Sequence, residues 1–267
     1  MRLSVAAVLG TAFLLGTAGI AQEPAKKLAC TESRDSRPRQ CEMREMTIGT
    51  TGRLEVDAAP NGGISVAAWS RAEVLVRAKV ETWGEAKPGD VRVNATPGRV
   101  IAEGPKSMGW RDSGWSVSYE IFLPERTDLD LRSVNGGISV NGVQGQLKAR
   151  TTNGGMTLAA VGGKVNAQTT NGGVNLRLAG RGWEGESCEV TTTNGGVNVE
   201  IPENYAARLV ASTTNGGLKS EVPNAKVEKG RWTGGTMELS AGGAGPVIKV
   251  TTTNGGVTVR HKGTAQL

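Results

Sequence analysis

Thr151-Thr152-Asn153-Gly154-Gly155-Met156-Thr157-Leu158 returns eighteen residues later as Thr169-Thr170-Asn171-Gly172-Gly173-Val174-Asn175-Leu176. The same Asn-Gly-Gly stands at Asn61, Asn135, Asn194, Asn215 and Asn254. From Asn135 onward the asparagines are 18, 18, 23, 21 and 39 residues apart, and Trp232-Thr233-Gly234-Gly235 forms a degenerate copy halfway along the last gap. A repeat of about twenty residues is a solenoid period.

Aligning the copies on Asn exposes columns. Six residues before it stand Leu129, Leu147, Val165, Cys188, Leu209 and Ile248; four before stand Leu131, Ala149, Ala167, Val190, Ala211 and Val250. Three after come Ile138, Met156, Val174, Val197, Leu218 and Val257. Polar residues fill the positions between. This period-two alternation on both sides of a turn gives two half-buried strands per repeat. Cys188 falls in an inward column and reads as a buried small hydrophobe. Asn-Gly is the dipeptide best able to hold two successive positive φ values, so each copy is expected to turn that way. Identical turns with identical flanking columns favour in-register stacking over separate hairpins. Such stacking would place Asn135, Asn153, Asn171, Asn194, Asn215 and Asn254 in one hydrogen-bonded ladder about 4.8 Å per coil. Thr151, Thr169, Thr192, Thr213 and Thr252 would form a second ladder. The expected fold is all-β: a single-stranded parallel β-solenoid (β-helix) with coils of about 18–23 residues, right-handed because parallel crossovers are.

The rest of the chain fits around that solenoid. Met1-Arg2, the apolar run Leu3 to Ile20 and the small residues up to Ala21 read as a secretory signal over residues 1–21. An uncleaved anchor is the weaker alternative, because the run is rich in Gly and Ala and barely long enough to span. No other segment reads as membrane-crossing, so location is expected in the periplasm or outside the cell. Residues 22–44 read as a polar tether in which Cys30 and Cys41, close together in an oxidising compartment, are expected to pair. The solenoid is expected over residues 45–262, with irregular opening coils over 45–128, regular coils over 129–262 and a tail over 263–267. With Gly at 39 residues and only two each of Phe and Tyr, the core must be thin layers of Val, Leu, Ile and Ala. The 31 basic and 25 acidic residues are interspersed, leaving +6 without a basic run, and no nucleic-acid partner is expected.

The block Ser116-Val117-Ser118-Tyr119-Glu120-Ile121-Phe122-Leu123-Pro124, then Leu129-Asp130-Leu131-Arg132-Ser133-Val134-Asn135-Gly136-Gly137-Ile138-Ser139-Val140, resembles the bacterial "putative adhesin" family. The Thr-Thr-Asn-Gly-Gly copies fit its repeated turns, as does Ile201-Pro202-Glu203-Asn204 before Ala211-Ser212-Thr213. The resemblance covers roughly residues 45–260. It implies an exported β-solenoid assigned to adhesion or envelope stress, without agreed catalytic residues. This chain departs from the pattern in having Gly where many relatives have Asp after the turn Gly, which speaks against calcium at the turns.

Most site chemistry is excluded on residue type. No Lys-Ser/Thr follows the glycines, so they form no phosphate cradle. None of the copies has the repeated Asp of a calcium-binding roll. The sole histidine, His261, precludes a multi-histidine metal site or a His-based triad. No cofactor and no metal are expected. Asp128/Asp130 and Glu184/Glu186 are each two apart and share a strand face, but the repeats align no further acids with them. Trp110, Asp112 and Trp115 in a Gly-rich loop are the ligand-binding candidates, since indoles stack on sugar rings; the alternative is that they cover a flank of the coil. Trp183 and Trp232, in inter-coil insertions, read the same way. Thr152, Thr170, Thr193, Thr214 and Thr253 make an outward column, but Arg150 and Gln168 beside it break the flat grid that ice binding needs. The expected function is a non-catalytic, adhesin-like or scaffold role in the cell envelope, toward an envelope glycan or surface protein. The alternative is a polysaccharide lyase or hydrolase on the same fold.

Overall fold

In the computed structural model the described residues are 28–30, 39–105, 113–231, 233–241 and 245–261. The first strand is Arg39–Gly49 (β1). Arg53–Asp57 (β2) and Ile64–Trp69 (β3) form the first coil, around Asn61. Glu73–Trp83 (β4), Arg92–Thr96 (β5), Arg99–Glu103 (β6) and Gly114–Pro124 (β7) intervene before the next. Regular coils follow as Asp128–Arg132 (β8) with Ile138–Asn141 (β9), and Gln144–Asn153 (β10) with Met156–Ala159 (β11). Gly162–Asn171 (β12) with Val174–Arg177 (β13) and Ser187–Asn194 (β14) with Val197–Ile201 (β15) continue them. Ala207–Asn215 (β16) and Leu218–Ser220 (β17) come next, then the hairpin Lys226–Lys229 (β18) and Gly235–Ala241 (β19). Val247–Asn254 (β20) and Val257–His261 (β21) make the last coil.

Each Asn-Gly-Gly turn passes the chain from one sheet to the other. Sheet A runs β1-β4-β7-β3-β9-β11-β13-β15-β21-β17, and sheet B runs β18-β19-β16-β20-β14-β12-β10-β8-β2-β6-β5. Alternation aims one residue in two at the opposite sheet. Leu54, Leu129, Leu147, Val165, Cys188, Ile248 and Leu209 therefore align across sheet B. Each of them is no more than 3% exposed. Ile64, Ile138, Met156, Val174, Val197 and Val257 do the same across sheet A. The core is a thin double layer of medium-sized side chains, each contributing about 1.5–3 kcal/mol by burial.

The all-β class holds, but the sheets are mixed rather than wholly parallel. β4 is antiparallel to both β1 and β7, and β5 is antiparallel to β6. The region 45–128 therefore holds one coil, which β7 and β6 join in parallel and which β4, β1 and β5 extend by antiparallel pairing, not a run of irregular coils. Residues 39–44, assigned to a tether, are the first half of β1. The last gap holds a second departure. Thr233-Gly234-Gly235 is not a coil but leads into β19, which pairs antiparallel with β16 and covers its edge. The chain then returns, and β20 inserts between β14 and β16. The last coil in sequence is thus the last but one in space. The wider spacing before Asn194 is taken up by a loop whose Trp183 is buried, its indole N–H donating to Gly163 O at 3.2 Å. Among the described residues no helix is long and apolar enough to cross a membrane.

Candidate functional site

The turns fix the register from which any site must be built. Asn215 Nδ2 donates to Asn254 Oδ1 (2.9 Å), Asn254 to Asn194 (2.8 Å) and Asn194 to Asn171 (2.8 Å). Asn171 donates to Asn153 (2.8 Å), Asn153 to Asn135 (2.8 Å) and Asn135 to Asn61 (3.0 Å). Asn61 Nδ2 ends the ladder on Trp115 O (3.5 Å), while Thr233 Oγ1 donates to Asn215 Oδ1 (3.1 Å) at the other end. Asn61 joins the six expected members, and Asn254 stands before Asn215.

The threonines do not bond one another. Thr151 Oγ1 donates to Gly136 O, Thr169 to Gly154, Thr192 to Gly172, Thr252 to Gly195 and Thr213 to Gly255, all at 2.8 Å. Each hydroxyl thus bonds the glycine carbonyl of the adjoining coil. That carbonyl also explains the glycines. Of the turn glycines only Gly62, at φ 151°, has positive φ, so the expected pair of left-handed residues is not what the turns use. A Cβ built on Gly154 would lie 2.1 Å from Gly136 O, and one on Gly172 would lie 2.2 Å from Gly154 O. Glycine is required because neighbouring backbones approach too closely for any side chain.

Locked register turns the outward residues of sheet B into rows along the solenoid axis. One row passes Asp57, Arg132, Arg150, Gln168, Thr191, Thr251 and Ser212. Beside it lie Thr152, Thr170 and Thr193. Together Arg132, Arg150, Thr152, Gln168, Thr170 and Thr193 line an open groove of about 570 Å³. A second hollow of about 400 Å³ shares Arg150 and adds Arg53, Asp128, Asp130, Lys148 and Lys164. Its carboxylates are already engaged. Asp128 Oδ1 accepts from Gln146 N–H (2.8 Å), and Asp130 lies 3.5 Å from Lys148 Nζ. Glu186 bonds Lys164 Nζ at 2.8 Å and thereby raises that ammonium's pKa.

The opposite face is closed by its own contacts. On sheet A, Arg77 lies 2.8 Å from Glu45 and 3.3 Å from the buried Glu120. The Glu45 hydrogen bond is the main reason its guanidinium pKa is raised. Phe122 stacks on Trp69 at 5.7 Å. Leu28 N–H reaches Glu120 Oε1 (3.5 Å), and a disulfide joins Cys30 to Cys41 of β1. Residues 28–30 therefore lie on the side away from the groove.

The sequence candidates scatter. Trp110 and Asp112 lie outside the described residues, as do the signal segment and Trp232. Trp115 is partly buried against the core, and its indole N–H donates to Pro105 O (3.0 Å). Its ring packs against Gly104 and leaves no room there for a Cβ. Cys188 is free and buried. Among the described residues no group of three or more His, Cys, Asp or Glu is placed to hold a metal. The residues missed were Arg132 and Arg150. Both stand three before Asn in the alignment and were visible there, but a column of residues does not reveal whether a charge has a partner.

The family model described as Toastrack DUF4097 matches residues 121–260, the stretch that contains the regular coils. The chain belongs to that family. The resemblance read from the repeated turns holds. Among solved structures, a "putative cell adhesion protein" from Clostridium sporogenes covers 84% of this chain with 100% of its own, at 12% identity and a TM-score of 0.47. A "putative adhesin" from Bacteroides fragilis covers 84% with 97% of its own, at 11% identity and a TM-score of 0.36. No curated protein matches the chain.

Proposed function

We propose that this Toastrack chain is an exported, non-catalytic module of the cell envelope, adhesin-like or scaffold in kind. It acts by holding an elongated polar ligand, an envelope glycan or a surface protein, against the outer face of sheet B. The observation that carries the reading is the open groove crossing β8, β10, β12 and β14, where side chains repeat in register along the solenoid axis. Such a surface offers hydrogen-bonding side chains in register at each coil step of about 4.8 Å, which suits a chain-like ligand better than a small molecule. The signal-like residues 1–21 support export, and the placement of residues 28–30 on sheet A supports a groove that faces away from an N-terminal attachment. Engagement of Asp128, Asp130 and Glu186 by neighbours supports binding over hydrolysis, which needs two carboxyls free to exchange protons and attack. The test is a glycan-array measurement on the exported chain, with a polysaccharide-degradation assay on the same panel. Binding without turnover is expected. Turnover that disappears in Asp130→Asn or Glu184→Gln at unchanged melting temperature would overturn the reading.

A further inference from the structure

Like charges placed directly opposite one another on neighbouring strands are destabilising. Where they meet elsewhere on sheet B, as at Glu55 and Asp130, each has its own cation, Arg99 at 3.7 Å and Lys148 at 3.5 Å. On sheet A, Glu200 is placed between Arg177 (3.2 Å) and Arg260. Arg132 and Arg150 break this rule. They are in-register neighbours on β8 and β10, both are exposed, and among the described residues neither has an ion-pair partner. Asp57, on the far side of Arg132, turns its Oδ1 to the N–H of Ala59 at 2.8 Å. Both arginines line the same groove.

We infer that the Arg132–Arg150 pair receives a carboxylate, and that the groove binds an acidic, uronate-containing glycan. This rests on the reading of the sheet B groove as the binding face. A planar guanidinium binds a carboxylate through two parallel hydrogen bonds, and two guanidinium groups one strand apart can share one anion or hold successive ones. Beyond the pair the row continues as Gln168 and Thr191, with Thr152, Thr170 and Thr193 alongside, groups that donate to and accept from sugar hydroxyls. A denser polyanion or a charged bilayer is less suited. Asp57 and Asp130 flank the arginines and would repel it, and a concave floor does not meet a flat surface. The sequence position tolerates exchange, because Gln168 already occupies it in the next coil.

The experiment measures binding of the exported chain to polygalacturonate and alginate, to fully methyl-esterified polygalacturonate, and to polyphosphate. The polyuronates should bind, and the Arg132→Gln/Arg150→Gln double variant should bind them at least about tenfold more weakly. Its melting temperature should hold or rise, since a repulsion has been removed. Raising salt should weaken wild-type binding more than the variant's. The esterified polymer should bind weakly and identically to both forms. Equal binding of free and esterified polymer, or binding of polyphosphate alone, would overturn the acidic-glycan inference. In the first case, weakening of both polymers by Gln168→Ala/Thr170→Ala leaves the groove reading intact. Binding of no polymer would overturn the inference, and groove variants without effect on any ligand found on the array would overturn the groove reading as well.

Discussion

Between Asp128 and Ile201 every strand has parallel, in-register neighbours, whereas between Arg39 and Pro124 β4 runs antiparallel to the strands on both sides. The two regions bury the same kinds of residue in the same thin core. They differ in what sets register. In the coils each turn is tied to the next by an amide, a hydroxyl and a backbone contact that only glycine permits. In the opening region alternation and antiparallel pairing set it, and glycines such as Gly49, Gly52 and Gly89 have nothing within 4 Å of an added Cβ. A coil is therefore defined by its neighbours in space and not by its place in the chain, which is why the last coil can insert ahead of the one that precedes it.

The largest effect should come from the glycines. Gly172→Ala puts a methyl group into the Gly154 carbonyl and is expected to cost about 3 kcal/mol or more, because the obstacle is backbone. Gly89→Ala in the opening region, with nothing within 4 Å of the new carbon, should stay within about 0.5 kcal/mol. Urea unfolding of the two variants checks the pair, and equal losses would remove the distinction between the regions.

A smaller contrast concerns two buried threonines. Thr169→Val removes the bond to Gly154 O and leaves that carbonyl short of a donor, at a cost of about 1 kcal/mol. Thr82 is fully buried in β4 with no partner for its hydroxyl among the described residues, so Thr82→Val should be neutral or stabilising. The same unfolding measurement reads both, and a stability loss at Thr82 would show an interaction that the account lacks.

At neutral pH the smallest effect is expected from the buried titrating groups. Burial pushes the Cys188 thiol up from an ordinary 9.0 to about 12, and it raises the phenols of Tyr205 and Tyr119 as well. A group with a raised folded pKa leaves stability untouched below its unfolded value and removes it as pH climbs toward the folded one. Stability should therefore be flat with respect to these groups up to about pH 9 and then fall. Cys188→Ala, in the coils, should remove the first part of that fall and leave the part due to the phenols of Tyr205 and Tyr119. A fall beginning at the same pH and of the same depth in the variant would contradict the placement of Cys188.

Much of this was legible in the sequence, for a physical reason. Inward columns such as Leu147, Val165 and Cys188 follow from period-two alternation, and the Asn and Thr columns follow from the alignment on the turn. The partners of a strand do not. The alternation in Val74-Leu75-Val76 or Val117-Ser118-Tyr119 is the same whether a neighbour runs parallel or antiparallel. The close approach at Gly172 was hidden as well, since an Asn-Gly pair signals a left-handed turn and a crowded backbone equally. The groove was half visible. Arg150 stands out beside the threonine column as a break in a flat grid, and only the register shows Arg132 next to it with no carboxylate paired to either among the described residues.

The claim that space and not sequence orders the coils can be tested by disulfide trapping. Adjacent strands lie about 4.8 Å apart and second neighbours about twice that, against a Cα separation of about 4.4–6.8 Å for a disulfide. Asn194 pairs with Asn254, and Asn254 with Asn215, so the outward Thr193 neighbours Thr253 and lies one coil further from Thr214. Under mild oxidation the Thr193→Cys/Thr253→Cys variant should close its disulfide rapidly, while Thr193→Cys/Thr214→Cys should stay reduced. The reverse outcome would mean that the coils stack in chain order, and would contradict the account.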